Sequence, residues 1–267
     1  MTPSPTIEDQ AAAPSIQLLG VRVSVLNLAT AVARILDMVR EGRRGYVCVA
    51  GAHGLVDSQS NALLKAAFNR ADLVTPDGMP LVWELRRRGH QDAGRVYGPD
   101  LMLALFGQGL RHYIYGATDR TLELLQARLR ERFPEAEIVG AYAPPFRPLT
   151  ETEETLVAAR INAARPDIVW VGIGAPKQEC WMARMRDRLD APVLIGVGAA
   201  FDFHAGLQRQ APAWMQRRGF EWAFRLSVEP RRLWRRYLRV VPTYMLLLAM
   251  ERSGLRRYAL PQHEPPG

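Results

Sequence analysis

The Asp of Thr75-Pro-Asp-Gly-Met-Pro80 is held between two prolines. Proline restricts the backbone on both sides, so Asp77 is offered on a rigid turn, where its carboxylate could take a proton from an attacking hydroxyl. A Pro-Asp-Gly turn also uses its Asp simply to close an Asx turn or cap a helix, and the residues alone leave both readings open. Arg95-Val-Tyr-Gly-Pro-Asp100 follows, with Gly-Pro-Asp opening an apolar helix. Asp100 suits the positive end of that helix, and Arg95 could pair with Asp100 or with a ligand carboxylate or phosphate.

A second group of candidates lies further along. The apolar run from Asp167 feeds a Gly174-Ala-Pro turn and then Lys177, Gln178 and Glu179 on a helix start. A strand followed by glycine and a helix N-terminus brings backbone N–H groups to the carboxyl edge of a sheet, a natural place for anionic ligands. Among 35 basic residues only Lys65 and Lys177 are lysines. A compact ammonium at such a turn suits a phosphate, although an exposed Lys on a first helical turn is an equally simple reading. Gly116-Ala-Thr-Asp and Gly196-Val-Gly198-Ala-Ala-Phe-Asp202 repeat the junction, which adds Gly116, Gly198 and Asp202 to the candidates.

Two ligand classes find no support. The five histidines are scattered, and no Cys-x-x-Cys, His-x-x-x-His or Asp-x-Asp pair is present, so no metal site is expected. Phe201 stands where the third glycine of a dinucleotide fingerprint belongs, which argues against NAD, and no other cofactor is called for.

These residues need a scaffold, and between residues 45 and 206 apolar runs alternate with amphipathic stretches, the pattern of a parallel sheet flanked by helices. Strands are expected at 46–50, 113–115, 137–141, 168–172 and 193–197. Thr118 or Asp119 should cap a helix carrying Leu122, Leu125, Leu129 and Phe133 on one face. The fold class is therefore α/β, a Rossmann-like parallel sheet with a helical, Arg-rich C-terminal appendage. The expected organisation is a disordered leader at 1–18, a catalytic domain at 19–206, the appendage at 207–258 and a disordered tail at 259–267. Residues 1–14 lack the basic and apolar regions of a secretory signal, and Cys48 and Cys180 offer no disulfide framework, which fits a reducing compartment.

Net charge is +8, and twelve arginines against three glutamates between 209 and 257 account for the excess. Arg225, Arg232, Arg235 and Arg239 have spacings that would place them on one helical face. Residues 240–250 are apolar but too few to cross a bilayer, for which about 20 are needed. Flanking arginines suit a helix lying in an anionic membrane interface; packing on the main domain is the alternative. Nucleic acid is not expected as a partner, because no binding module is recognisable.

Five blocks, T-P-D-G at 75–78, R-V-x-G-x-D-L-M at 95–102, G-A-P-K-Q-E at 174–179, G-V-G-x-x-F-D at 196–202 and E-W-x-x-R-L-x-x-E-P-x-R-x-x-R at 221–235, occur in the order of a known family. The chain resembles the bacterial WecG/TagA/CpsF glycosyltransferases, which move N-acetylmannosamine-type sugars from UDP to lipid-linked acceptors. The resemblance implies Asp77 as catalytic base and Arg225, Arg232 and Arg235 as appendage arginines meeting the diphosphate. It also implies a membrane-associated appendage that completes the active site. Many members carry Thr at the end of the first core strand, where this chain has Ala50; either His53 or a backbone group substitutes, or turnover is weak, or the acceptor differs.

The function expected is an inverting, metal-independent transfer of an N-acetylhexosamine-type sugar. The partners would be a UDP-sugar, a polyprenyl-pyrophosphate-linked acceptor and an anionic membrane on its cytoplasmic face, with a second copy of the chain left open. Arg95, Asp100, Gly116, Gly174, Lys177, Gln178, Glu179, Gly198 and Asp202 would form the substrate site. A weakly catalytic nucleotide-sugar or glycan-binding subunit of a polysaccharide assembly complex is the other reading.

Overall fold

The computed structural model describes residues 13–258, apart from the side chain of Arg232. Residues 1–12 of the expected leader and all of the expected tail lie outside the described residues. The rest of that leader is not a coil: β1 (Ser15–Leu18) and β2 (Val21–Ser24) form an antiparallel hairpin. Leu19 and Gly20 between them both have positive φ, the twist of a two-residue hairpin turn, and Gly20 supplies it without strain.

Six strands form one parallel sheet: β3 (Gly45–Ala50), β4 (Leu73–Pro76), β5 (Arg111–Gly116), β6 (Glu137–Tyr142), β7 (Ile168–Gly172) and β8 (Val193–Gly196). Their spatial order is β4-β3-β8-β7-β5-β6. The last strand in the sequence, β8, therefore pairs with the first of this sheet, with Gly45 opposite Val193 and Cys48 opposite Gly196. Five of the six match the expected runs; β4 was not anticipated.

Helices cover both faces, as a parallel sheet buried on both sides requires. Alternate residues of the strands point to opposite layers. Val47, Ile114, Trp170 and Ile195 meet α1 (Leu28–Arg40), α5 (Gly98–Phe106), α6 (Asp119–Arg132) and α9 (Ala200–His204). Cys48, Tyr115, Val171 and Leu194 meet α3 (Ala62–Arg70), α7 (Glu151–Ala164), α8 (Lys177–Met185) and the last helix. Thr118 caps α6 by accepting from the Thr121 N–H, and Leu122, Leu125 and Leu129 are buried beneath it.

The C-terminal segment contains α10 (Ala213–Arg217), α11 (Glu221–Val228) and α12 (Pro230–Arg252). The expected single arginine face across 225–239 does not form, because Glu229 is non-helical and Pro230 begins a new helix, so Arg225 belongs to α11. Proline suits a first helical position, where its missing N–H has no partner to lose. The apolar stretch at 240–250 resolves into two faces. Val240, Tyr244, Leu247 and Leu248 are buried in the same core as β3 and β8, whereas Val241, Met245 and Leu246 are exposed. No helix among the described residues is long and apolar enough to cross a membrane.

Polar ties fix α12 to the body. Arg239 meets Asp57 of α2 (Ala52–Asp57) at 2.7 Å. At its far end Arg252 pairs with Glu84 of α4 (Met79–Arg87), while Glu251 accepts from the Leu19 N–H at 3.1 Å and pairs with Arg88 at the same distance.

Candidate active site

All six parallel strands end on one edge, and Asp77 follows β4 there, immediately before α4. Its backbone is pinned from three sides. The Asp77 N–H donates to the Ala50 carbonyl at 3.0 Å, the Val96 N–H donates to the Pro76 carbonyl at 2.9 Å, and Arg95 Nε donates to the Asp77 carbonyl. The turn is therefore rigid, as its prolines imply.

A cleft of about 840 Å³ opens beside this turn, between the ends of β3 and β4 and the helices α11 and α12. Asp77, Arg95, Glu221, Arg225 and His53 give it a polar end. Trp83, Trp222, Trp234, Leu238, Val241 and Met245 give it an apolar wall. The appendage thus supplies one side of the cavity and the sheet edge the other.

Electrostatics at the polar end are unequal. Burial pushes the Asp77 carboxyl up to about 6, opposed by Arg95 and Arg225 and reinforced by Glu221. Asp77 Oδ1 is buried and accepts no hydrogen bond, although Arg95 Nη2 is 3.7 Å away. That guanidinium is turned to Glu221 Oε2 instead and stacks on the Tyr97 ring at 3.9 Å. Burial opposes the charge on Arg95, yet Asp77 and Glu221 together raise it further above its ordinary range. His53 is driven down to about 3, first by burial and then by Arg236 and Arg225, so it is neutral at any physiological pH.

A third carboxylate lines the same cleft. Glu84, with no exposed side-chain surface, meets Arg87 and Arg88 at 2.7 Å and also Arg252. Burial would raise it, but these three arginines outweigh that and bring it to about 2.

The residues anticipated from the sequence separate into two groups. Asp77, Arg95 and Arg225 line the cleft. Asp100, exposed in the first turn of α5, lies near enough for Arg95 and Glu221 to act on its carboxyl. Gly116, Gly174 and Gly198 form the turns after β5, β7 and β8, all with positive φ. They and Lys177, Gln178, Glu179 and Asp202 share the sheet edge but do not line the cleft. Lys177 is exposed, whereas Gln178 and Glu179 turn inward and are buried. Gln178 Nε2 donates to Glu179 at 3.0 Å, and Glu179 Oε2, without a hydrogen-bond partner, borders a cavity of about 10 Å³ with Ala50 and His53. That space is about enough for one water.

The other two expected arginines are not brought to the cleft among the described side chains. Arg235 is exposed, does not line the cleft, and lies 5.3 Å from the centre of the Trp234 ring. Arg232 is on α12, but its side chain falls outside the described residues. Glu221 and Trp222 stood only as part of the block at 221–235, and neither they nor Arg236 and the other tryptophans of the wall were given a site role. A lone acid in a basic tail has no periodicity to mark it; the tryptophans, however, interleave with the arginines in the sequence. No group of three or more His, Cys, Asp or Glu side chains among the described residues is arranged to hold a metal ion.

Comparison with known proteins finds relatives over most of the chain. The model of the Glycosyl transferase WecG/TagA/CpsF family matches residues 16–258. An N-acetylglucosaminyldiphosphoundecaprenol N-acetyl-beta-D-mannosaminyltransferase of Bacillus subtilis is 30% identical over 195 residues, covering 72% of this chain and 73% of the relative. Proteins of the same description from Bacillus spizizenii and Staphylococcus aureus are 28% and 27% identical, covering 81% and 71% of this chain and 83% and 74% of their own lengths.

Proposed function

The chain belongs to the WecG/TagA/CpsF family of glycosyltransferases, and from that premise we propose that it transfers an N-acetylhexosamine-type sugar, of the N-acetylmannosamine or corresponding uronic acid class, from UDP to a lipid-diphosphate-linked saccharide. The observation that carries this reading is the carboxyl of Asp77, 28% exposed in a cleft that it lines together with Arg95, Arg225 and a set of tryptophan and aliphatic side chains. An acceptor that joins a sugar and a diphosphate to an isoprenoid presents both polar and apolar surface to such a lining.

Asp77 acts as general base. With a carboxyl that titrates near 6, it is mostly ionised at pH 7 yet more basic than an ordinary Asp, the compromise that favours proton transfer. The acceptor hydroxyl loses its proton to the Asp77 carboxylate as its oxygen attacks the anomeric carbon, and the bond to UDP breaks on the opposite face. This displacement inverts the anomeric centre. Arg225 meets the charge that develops on the diphosphate, helped by the amides of the glycine turns, so that no metal ion is needed. The relatives' names specify β-linked transfer to a diphosphoundecaprenol-linked sugar, which supports both the acceptor class and the stereochemistry.

The exposed apolar face of α12, with Leu246 61% exposed, and the surrounding arginines would seat the enzyme on anionic lipid at the inner face of the membrane. The product would enter an exopolysaccharide or related envelope glycan. Ala50, in place of the family's common Thr, is the one observation favouring a weakly catalytic binding subunit instead.

UDP release measured over a panel of UDP-N-acetylhexosamines with short lipid-diphosphate GlcNAc acceptors tests the reading. Transfer with a β-linked product, unaffected by chelator, is expected. Failure with every donor would favour the binding subunit, and activity abolished by chelator would remove the metal-free mechanism.

A further inference from the structure

The position of Arg95 poses a chemical question. A guanidinium 3.7 Å from a buried carboxylate ordinarily closes into a bidentate pair, yet Asp77 Oδ1 is left without a hydrogen bond. Arg95 is held elsewhere by four contacts. Nη2 meets Glu221 Oε2, Nη1 donates to Gln216 Oε1 at 3.4 Å, Nε donates to the backbone of Asp77, and the plane stacks on Tyr97. Glu221 is itself held by the Tyr97 hydroxyl, which donates to Oε1 at 3.3 Å. Both Glu221 and Gln216 belong to the C-terminal helices, and both Arg95 and Glu221 have side chains only 15% exposed.

We propose that Glu221 is a positioning residue: by engaging Arg95 it keeps the guanidinium off Asp77, so that the carboxylate is free to accept a proton only while α11 is seated on the sheet edge. The proposal rests on the reading of Asp77 as base. When α11 leaves, Arg95 loses its partner and turns to the nearest remaining carboxylate, which neutralises the base. Seating of the appendage thereby sets whether the chemistry can proceed, apart from anything the appendage contributes to substrate binding.

Every charged group around Asp77 enters this balance. Arg95 and Arg225 lower its carboxyl, Glu221 raises it, and the Gly98 N–H lowers it. Asp100 answers to the same Arg95 and Glu221, the Tyr97 hydroxyl is raised chiefly by burial and then by Glu221 and Asp77, and His53 across the cleft is neutral. Glu221→Gln removes one negative charge and frees Arg95, and both changes push Asp77 in the same direction.

The test is the titration of Asp77, followed by carboxyl-carbon NMR in the full chain and assigned by its absence in Asp77→Asn. Glu221→Gln should lower the midpoint by about one pH unit or more, within the range seen for an Asp closing on an Arg. The acidic limb of kcat/KM should move with it, and kcat should fall about tenfold while the dissociation constant for UDP-sugar stays the same. In an Arg95→Gln background the same substitution should shift the midpoint far less, because the path through the guanidinium is gone. An unchanged midpoint, or an equal shift in both backgrounds, would overturn the proposal. The second outcome also identifies a variant that has merely lost its appendage fold. If the midpoints behave as expected but wild-type protein transfers no sugar from any donor, the device stands and the assigned reaction falls.

Discussion

Two of the carboxylates that line the cleft each lie beside arginines, and they have opposite characters. Glu84 is surrounded by Arg87, Arg88 and Arg252 and titrates near 2; Asp77 shares one guanidinium with Glu221 and titrates near 6. Burial raises both. What separates them is whether the arginines close: at Glu84 three of them reach bonding distance, whereas at Asp77 the nearest is turned away. A buried acid that is fully paired is an anchor, and one that is incompletely paired is a reagent. The anchor ties α12 to α4, and the reagent faces the cavity that this tie helps to close.

The sharpest way to break this contrast is Asp77→Asn. Turnover should drop by about 10²- to 10⁴-fold while UDP-sugar affinity is nearly intact, read by steady-state kinetics and calorimetry. Unchanged turnover would remove Asp77 from the chemistry. Glu84→Ala leaves three arginines without their buried partner and should lower the unfolding free energy by on the order of 3 kcal/mol in urea denaturation. An effect below about 0.5 kcal/mol would mean that Glu84 anchors nothing.

The same Asp77→Asn protein should be more stable than wild type at pH 8. The folded state raises this carboxyl from its ordinary 3.8 to about 6, so its contribution is favourable below pH 4 and is lost as pH rises through 6. Removing the charge should therefore restore about 1–3 kcal/mol at pH 8 and nothing at pH 4. Glu84 has the opposite sign. Its stabilisation is full above the ordinary carboxylate range and is lost progressively as pH falls from there to about 2. Thermal melts across pH 5–8 should show the first effect and almost none from Glu84. Smallest of all, Leu246→Glu on the exposed face of α12 should change stability by less than about 0.5 kcal/mol. It should nonetheless weaken binding to anionic vesicles by about tenfold, as loss of one buried leucine implies.

The sheet was legible because buried parallel strands are written as apolar runs, and five of six stood out at the expected places. β4 did not: four residues ending in Thr-Pro look like a turn, and only pairing with β3 makes them a strand. The hairpin of β1 and β2 was hidden by the Pro- and Ala-rich residues ahead of it. Asp77 and Arg95 were legible from local chemistry, since a proline-bounded acid and a lone Arg before Gly-Pro-Asp carry their own signal. The arginine face failed because the spacing ignored Pro230, the residue that starts a new helix and was there to be read. Glu221 opened the block at 221–235 but had no role written in it; its meaning comes from Arg95, which only the fold brings beside it.

The place of β3 governs how such a chain reaches its native state. It lies between β4, its next neighbour in sequence, and β8, the last strand to be made. Until β8 arrives, one side of β3 keeps its amides and carbonyls unpaired, a template for strands of other molecules. Closing that distant pair is entropically slow, so the rate-limiting event in folding should be the docking of β8. Self-association during expression should then be worst in that interval, and dilution or slower synthesis should raise the yield of native enzyme.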